Sequence, residues 1–289
     1  MSGADTITTP ARMPEPEHLP TTHDKPTQST LRAALVSEWT KLRSVRSTVW
    51  SLVATSAFTI GLGTLFCWAY LHRRAERSDR QNAIRALMFD PTARSLNGVV
   101  LAQLAIGVLG VLVMSSEYTT GMIRTSLAAV PDRRVFLLAK TIVLASVGLV
   151  ISMVSVFVAF FMGQAVLSGD GLGISLGADS VLRAVLGAGL YLTLIALFGL
   201  AIGTIVRRTP GAIATLFGIV LILPLIAQAF PEPWDVRIGR LAPFNAGQAM
   251  FSVRYDPDLL TPTQGLLVFL GWIVLAYIVA MVTLSRRDA

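Results

Sequence analysis

The chain has 289 residues, of which 53% are hydrophobic and only 14% are charged, and its net charge is +7. A mean hydropathy of +0.64 fits poorly with a soluble single-core protein and favours a polytopic membrane protein. The basic residues lie in short segments between apolar runs, a pattern of membrane topology rather than of a nucleic-acid-binding face. The single cysteine, Cys67, excludes a disulfide framework or a thiolate metal site within one chain.

The first 30 residues are polar, contain five prolines and lack the apolar segment of a secretion signal. We expect residues 1–30 to form a disordered cytoplasmic tail. An amphipathic helix is predicted over residues 31–48, because Leu31, Leu35, Trp39 and Leu42 recur at steps of three and four residues.

The charged residues of this helix indicate that it lies in the plane of the lipid headgroups. Lys41 and Arg43 flank the apolar stripe on opposite sides, which suits an interfacial helix. Glu38 projects onto the apolar face, where a carboxylate is costly unless it is paired. Two interpretations remain open for Glu38: an intrahelical pair with Lys41, and a contact with another protein surface.

Six apolar runs follow, each long enough to cross a hydrocarbon core of about 30 Å as a helix. They lie near residues 49–71, 98–115, 136–164, 181–206, 211–230 and 265–284, and residues 285–289 form a short end. We therefore predict an all-α polytopic membrane protein with six transmembrane helices after an interfacial helix. Fourteen of the 24 basic residues fall on the side of the two termini, which predicts that both termini are cytoplasmic.

Some residues within the spans are candidates for a translocation pathway. Gln103 in the second span and Gln228 near the end of the fifth are polar groups at membrane depth, and Phe217 is an apolar candidate for the pathway wall. The alternative for the glutamines is a hydrogen bond to a neighbouring helix. Gly199 and Gly203 form a small-xxx-small pair that predicts close helix packing, within one chain or between two copies.

Two further features concern the fifth span and the segment before the sixth. Pro224 predicts a kink in the fifth span, because its ring removes a backbone donor. Residues 231–263 are long for an unstructured loop and contain a moderately apolar piece. We expect short helices there that dip back toward the membrane.

The polar segment from Glu117 to Lys140, between the second and third spans, carries charge, a helix-length stretch and a proline. Helical spacing predicts a short amphipathic helix that Pro131 ends. If this helix is continuous from Glu117, then Glu117 and Arg124 are about two turns apart and share a face. The alternative is a solvated linker with its charges toward lipid headgroups.

The third span begins directly after this proline. Asp132 is well placed to cap its helix, with Arg133 and Arg134 in the first turn. Lys140 lies one or two turns deeper, and we expect its side chain to reach back to the headgroups.

The interfacial helix, the six spans, the 117–140 loop and the segment LAPFNAGQAM occur in an order that resembles type 2 ATP-binding-cassette exporter permeases. The similarity covers roughly residues 31–284 and is strongest to half-size bacterial permeases for drugs, bacteriocin resistance or sodium export. The resemblance implies a homodimer in the bacterial plasma membrane, with a separate cytoplasmic ATPase docked on each copy. It also implies a coupling helix between the second and third spans and re-entrant helices before the sixth.

The resemblance assigns ATPase contact to residues of the loop and of the interfacial helix. These are Glu117, Tyr118, Gly121, Arg124, Pro131, Arg133 and Arg134 in the loop, and Glu38, Trp39, Lys41 and Arg43 on the helix. The sequence has no phosphate-binding GxxxxGK[ST] motif, and its only lysines are Lys25, Lys41 and Lys140. ATP and Mg are therefore expected on the partner ATPase, and no cofactor, metal or catalytic residue is expected on this chain.

Other functions remain as alternatives. An ion-coupled secondary transporter would usually place an acidic residue or histidine within its spans, and the predicted runs contain none well inside them. A non-transporting membrane subunit of a resistance or sensing complex also fits the sequence. The transported substrate could be a drug, a peptide or a lipid-like molecule.

Overall fold

The computed structural model describes residues 27–76, 78, 89–254 and 260–287, and within these ranges the regular elements are all helices. They are α1 (Thr27–Ser44), α2 (Arg46–Ala75), α3 (Pro91–Leu96), α4 (Val99–Thr119), α5 (Met122–Ala129), α6 (Arg133–Ser168), α7 (Val181–Val206), α8 (Thr209–Ala227), α9 (Trp234–Leu241), α10 (Pro243–Phe251) and α11 (Pro262–Arg287).

Six segments of the described chain are long and apolar enough to cross a membrane, which confirms the prediction of a six-helix polytopic protein. They are α2, α3 with α4, α6, α7, α8 and α11. The interfacial helix ends earlier than predicted, because the extended backbone of Val45 separates α1 from α2 and places Arg46 in the first membrane helix. Helix α1 also begins four residues before the predicted boundary at residue 31, and the rest of the predicted tail, residues 1–26, lies outside the described residues.

Helix α7 is the centre of the bundle and the most buried of the six candidate spans. It packs closely along α4, where Gly199 and Gly203 lie against the backbone of Gly107 and Val111. Gly110 of α4 lies in turn against the carbonyl of Ala196. The predicted small-residue pair therefore serves packing within one chain, because these glycines let two backbones approach without side chains between them.

Two of the spans contain a π-helical turn. In α2 this turn covers Phe58–Leu62, and in α8 it covers Gly218–Ile222, directly before the segment that contains Pro224. Pro224 lacks a backbone donor, and a local π turn is one way in which a helix accommodates such a defect. The fifth span thus has a π turn beside Pro224, and the kink predicted there stays a prediction.

Helices α9 and α10 occupy the segment before the last span, where short helices were predicted. Gly247 of α10 packs against the ring of Tyr191, which is ten residues, or about 15 Å, along α7 from its first residue. Arg183 of α7 donates hydrogen bonds to the carbonyls of Met250 and Ser252, at 3.2 and 2.7 Å. Helix α10 is therefore inserted into the bundle, and its depth in a bilayer stays a prediction.

Candidate functional site

Two glutamates and two lysines from three helices meet at the end of the bundle that carries α1 and α5. Lys140 of α6 donates to Glu38 Oε2 of α1 at 2.7 Å and to Glu117 Oε1 of α4 at 2.6 Å. Lys41 of α1 donates to Glu38 Oε1 and to Glu117 Oε1, both at 2.9 Å. We call Glu38, Lys41, Glu117 and Lys140 the Glu–Lys cluster.

The cluster is largely buried in the protein interior. The exposed fractions are 6% for Glu38, 5% for Glu117 and 2% for Lys140, whereas Lys41 is partly exposed. Each charged residue of the cluster belongs to a regular helix. Glu38 and Lys41 are one turn apart on α1. Glu117 is in the last turn of α4, and Lys140 is two turns from the start of α6. The side chains are therefore positioned by packed helices rather than by loops.

Mutual pairing makes the burial of these charges tolerable. A buried charge costs several kcal/mol unless it is paired and hydrogen-bonded, and this cluster balances two carboxylates with two ammonium groups. Lys41 also contacts Ser126 Oγ of α5 at 3.1 Å, and Lys140 Nζ lies 5.0 Å from the ring centre of Phe136. The cluster consequently connects α1, α4, α5 and α6.

The carboxylates dominate the environment of Lys41. Burial by itself lowers the pKa of Lys41, but the hydrogen bonds and charges of Glu38 and Glu117 outweigh this effect. The pKa of Lys41 is therefore raised above its ordinary value, and the lysine is an ammonium ion at neutral pH.

The loop between the second and third spans is not one continuous helix, which corrects the hypothesis that Glu117 and Arg124 share a helical face. Helix α4 ends at Thr119, and Gly121 adopts a left-handed conformation with φ 72° before α5 begins at Met122. A positive φ suits glycine because it lacks a Cβ, so the chain turns there. Glu117 faces the interior, whereas Arg124 is exposed on α5.

Helix α5 is anchored on one side and open on the other. Ile123 is its buried residue, and Ser126 contacts Lys41. Met122 is 46% exposed, and Arg124 and Thr125 are exposed as well. One face of this short helix is therefore exposed and carries both polar and apolar residues, and its other face contacts the Glu–Lys cluster.

The start of the third span agrees with the sequence prediction. The chain leaves helical geometry at Val130, before Pro131, and Asp132 caps α6 by accepting from the backbone N–H of Arg134 at 2.8 Å. Arg133 donates to the carbonyl of Ser285 at 2.6 Å, which ties α6 to the end of α11. Arg134 is exposed.

The structure contradicts the expectation that Lys140 reaches the headgroups, and it identifies the partners of Glu38. Lys140 does not extend to the headgroups, because two carboxylates hold its ammonium group inside the bundle. Glu38 does pair with Lys41, as one interpretation held, and it pairs with Lys140 as well. Trp39 and Arg43 point away from the cluster in exposed positions on α1.

Tyr118 lies next to the cluster but belongs to a different contact. Arg207, which follows α7, lies 5.0 Å from the centre of the Tyr118 ring and donates to the carbonyl of Thr283 at 2.9 Å. These contacts join the ends of α4, α7 and α11. Tyr118 therefore has a packing role at the end of the bundle.

The three pathway candidates occupy different environments. Gln103 is 1% exposed and accepts a hydrogen bond from Tyr191, which matches the helix-packing alternative. Phe217 lines an apolar groove of about 340 Å³ between α2, α4 and α8. Gln228 is exposed and lines a cavity of about 170 Å³ with Asp235, near α9. A role of any of them in transport stays a prediction.

Sequence analysis did not find the pairing between α1, α4 and α6. Glu38 and Lys140 are 102 residues apart, so no local spacing links them. A signal was nevertheless present, because a carboxylate on an apolar helix face and a lysine within an apolar run both need a partner. Within the part of the chain that the structure describes, no group of histidine, cysteine, aspartate and glutamate is arranged to hold a metal ion.

The fold and this site define a helical membrane protein in which buried ion pairs join α1 to two of the spans, α4 and α6. The short helix α5 contacts the same cluster through the hydrogen bond between Lys41 and Ser126. The chain matches the family described as "ABC-2 family transporter protein" over residues 34–227, about two thirds of its length. It belongs to that family. The matched region includes all four residues of the Glu–Lys cluster, and no curated protein matches the chain.

Proposed function

We propose that this chain, a membrane permease of an ABC transporter, is the transport subunit of an exporter in the bacterial plasma membrane, with both termini cytoplasmic. A separate ATPase docks on α5 and α1 and carries ATP and Mg. The substrate is a drug, a peptide or a lipid-like molecule.

The observation that supports this proposal is the Glu–Lys cluster. An ATPase that moves α5 needs a rigid path to the spans, because a mobile loop would absorb the displacement. Lys41 contacts Ser126 of α5, and it shares Glu117 of α4 with Lys140 of α6. A movement of α5 relative to α1 therefore acts on two membrane helices through charged hydrogen bonds.

The exposed surface of α5 is the proposed docking surface. Arg124 and Thr125 are exposed there, and Met122 adds an apolar contact. Interfaces of this kind combine an apolar centre with charged residues at the rim. Glu38 and Glu117, in contrast, act behind the surface, because their carboxylates are buried and paired.

The proposed permease is a homodimer, and the groove beside Phe217 is its candidate seam. Trp50 and Phe58 line the same groove, and Trp50 is 72% exposed. The small residues Ser51 and Ala54 also line it. Small residues beside large apolar ones allow close packing of membrane helices from two chains.

The proposal predicts a cassette ATPase gene beside that of this chain, and it is tested by co-expressing the two and purifying the complex from membranes. We expect the ATPase to copurify and Arg124→Glu to weaken its retention about tenfold, by placing a carboxylate in the docking surface. Arg254→Glu is the matched control, because Arg254 is exposed at the opposite end of the bundle. Copurification that is equal for both variants, or absent for the unmodified chain, would contradict the proposal.

A further inference from the structure

Helix α1 has an exposed face on which two arginines alternate with large apolar residues. Its members recur at steps of four, three and four residues, and they are Arg32, Val36, Trp39 and Arg43. This spacing places all four side chains within about 60° of one another around a helix. Each is exposed, Val36 by 61% and Trp39 by 50%. We call these residues the Arg–Trp face.

The other sides of α1 are already in contact with the rest of the protein. Ala34 and Glu38 are buried toward the bundle. Ser37 and Lys41 line a cavity of about 220 Å³ that α1 shares with α5. Each of these four residues lies about 130° or more around the helix from the centre of the Arg–Trp face. The Arg–Trp face is therefore separate from the side of α1 that adjoins the proposed ATPase docking surface.

The charges of this face are not balanced by the protein. Arg32 and Arg43 form no ion pair with any residue that the structure describes. The only acidic residue of α1 is Glu38, which is buried and paired with two lysines. The two guanidinium groups start from backbone positions about 16 Å apart along the helix. The face thus presents an extended positive surface to an anionic partner.

The position of α1 in the chain indicates that this partner is a membrane surface. Only Val45 separates α1 from α2, and α2 is the first candidate span, beginning at Arg46. The end of α1 therefore lies where the chain enters the apolar layer. Tryptophan is enriched at this level of a bilayer, and arginine keeps its alkyl stem on apolar surface while its guanidinium group reaches the phosphates. Exposed Trp39 between two arginines matches both requirements.

We propose that the Arg–Trp face binds anionic phospholipid headgroups of the leaflet that borders α1. Arg32 and Arg43 donate hydrogen bonds to headgroup phosphates, and Trp39 and Val36 insert beside the glycerol and upper acyl carbons. A zwitterionic lipid also has a phosphate, but its cationic group cancels the charge. The face therefore prefers phosphatidylglycerol to phosphatidylcholine. Lipid binding of this kind requires neither an ATPase nor a transported substrate.

The test uses the full chain in phosphatidylcholine nanodiscs that contain a small fraction of a photoreactive lipid. Phosphatidylglycerol and phosphatidylcholine carry a diazirine at the same acyl carbon near the glycerol, and labelling of residues 31–44 is measured by mass spectrometry. We expect phosphatidylglycerol to label this segment about fivefold more at low salt, and the difference to shrink at high salt. Equal labelling by the two lipids at low salt would overturn the proposal and leave the face to a protein partner.

Two matched double variants test whether the face itself selects the lipid. Arg32→Gln with Arg43→Gln should remove the preference for phosphatidylglycerol on residues 31–44. Arg208→Gln with Arg286→Gln removes the same charge from exposed positions at the same end of the bundle and should leave the preference unchanged. An equal loss in both double variants would show that overall charge attracts the lipid, and an unchanged preference without Arg32 and Arg43 would also contradict the proposal.

Discussion

Lys140 shows how strongly a single residue of this protein depends on its partners. Its ammonium group lies between Glu38 and Glu117, and its side chain has almost no contact with solvent. Removing one member of a buried ion pair leaves a charge without compensation, which commonly costs 3–5 kcal/mol. Lys140→Met leaves two carboxylates with Lys41 alone. We expect the free energy of unfolding to fall by about 3 kcal/mol, measured by denaturation in mixed micelles.

A double-substitution cycle separates pairing from other effects of this change. Glu117→Gln combined with Lys140→Met removes one charge of each sign, so the loss should be smaller than the sum of the two single losses. Arg134→Met is the control, because Arg134 is exposed on the same helix and should change stability by less than about 0.5 kcal/mol. Additive losses, or an equal loss in Arg134→Met, would show that Lys140 is not held by Glu117.

The helices themselves follow largely from local sequence. Runs of apolar residues as long as a bilayer is thick predicted the six spans, and Asp132 predicted the start of α6 through its capping hydrogen bond. The break at Gly121 was missed, because helical spacing continues across it and only its positive φ interrupts the helix. The pairing of Glu38 with Lys140 was not predictable either, since it depends on how distant helices pack, whereas the pair with Lys41 lies within one helix.

The close packing of α4 against α7 predicts that a side chain added at their contact lowers the stability of the protein. A Cβ added at Gly110 would overlap the carbonyl oxygen of Ala196, so the two helices would have to separate. We expect Gly110→Ala to lower the free energy of unfolding by about 2 kcal/mol, as overpacked sites commonly do. Thermal denaturation of the purified protein measures the change.

Gly271 of α11 is the matched control for this substitution. A Cβ added there meets nothing within 4 Å, so Gly271→Ala should have no packing cost. Its stability should equal or slightly exceed that of the unmodified protein, because alanine favours the helix more than glycine does. Equal losses in the two variants would indicate that α4 and α7 are not packed as the structure has them.

At the scale of the whole molecule, the family match and the cluster concern the same part of the chain. The match begins at residue 34, four residues before Glu38, and ends at residue 227 with the last residue of α8. It therefore contains the helices joined by the Glu–Lys cluster and the groove beside Phe217. Helices α9, α10 and α11 lie beyond it, although α10 and α11 pack directly on α7.

The proposed homodimer can be tested because the chain has one cysteine, Cys67, which is buried. In a Cys67→Ser background, Phe217→Cys places a thiol in the candidate seam between two copies. We expect rapid formation of a disulfide-linked dimer when membranes are oxidised with copper phenanthroline. The physical reason is that a disulfide needs the two Cα atoms within about 7 Å, which two copies paired along this groove allow.

Leu267→Cys in the same background is the control. Leu267 of α11 is 68% exposed, so its thiol is accessible but lies outside the groove. Cross-linking through Phe217→Cys should exceed that through Leu267→Cys at equal expression and should not change when the membranes are diluted with added lipid. Random collisions would give both cysteines similar yields that fall on dilution, and that result would place the dimer seam elsewhere. A Phe217-specific link would join the two copies along the first, second and fifth spans, leaving each α5 free to meet its own ATPase.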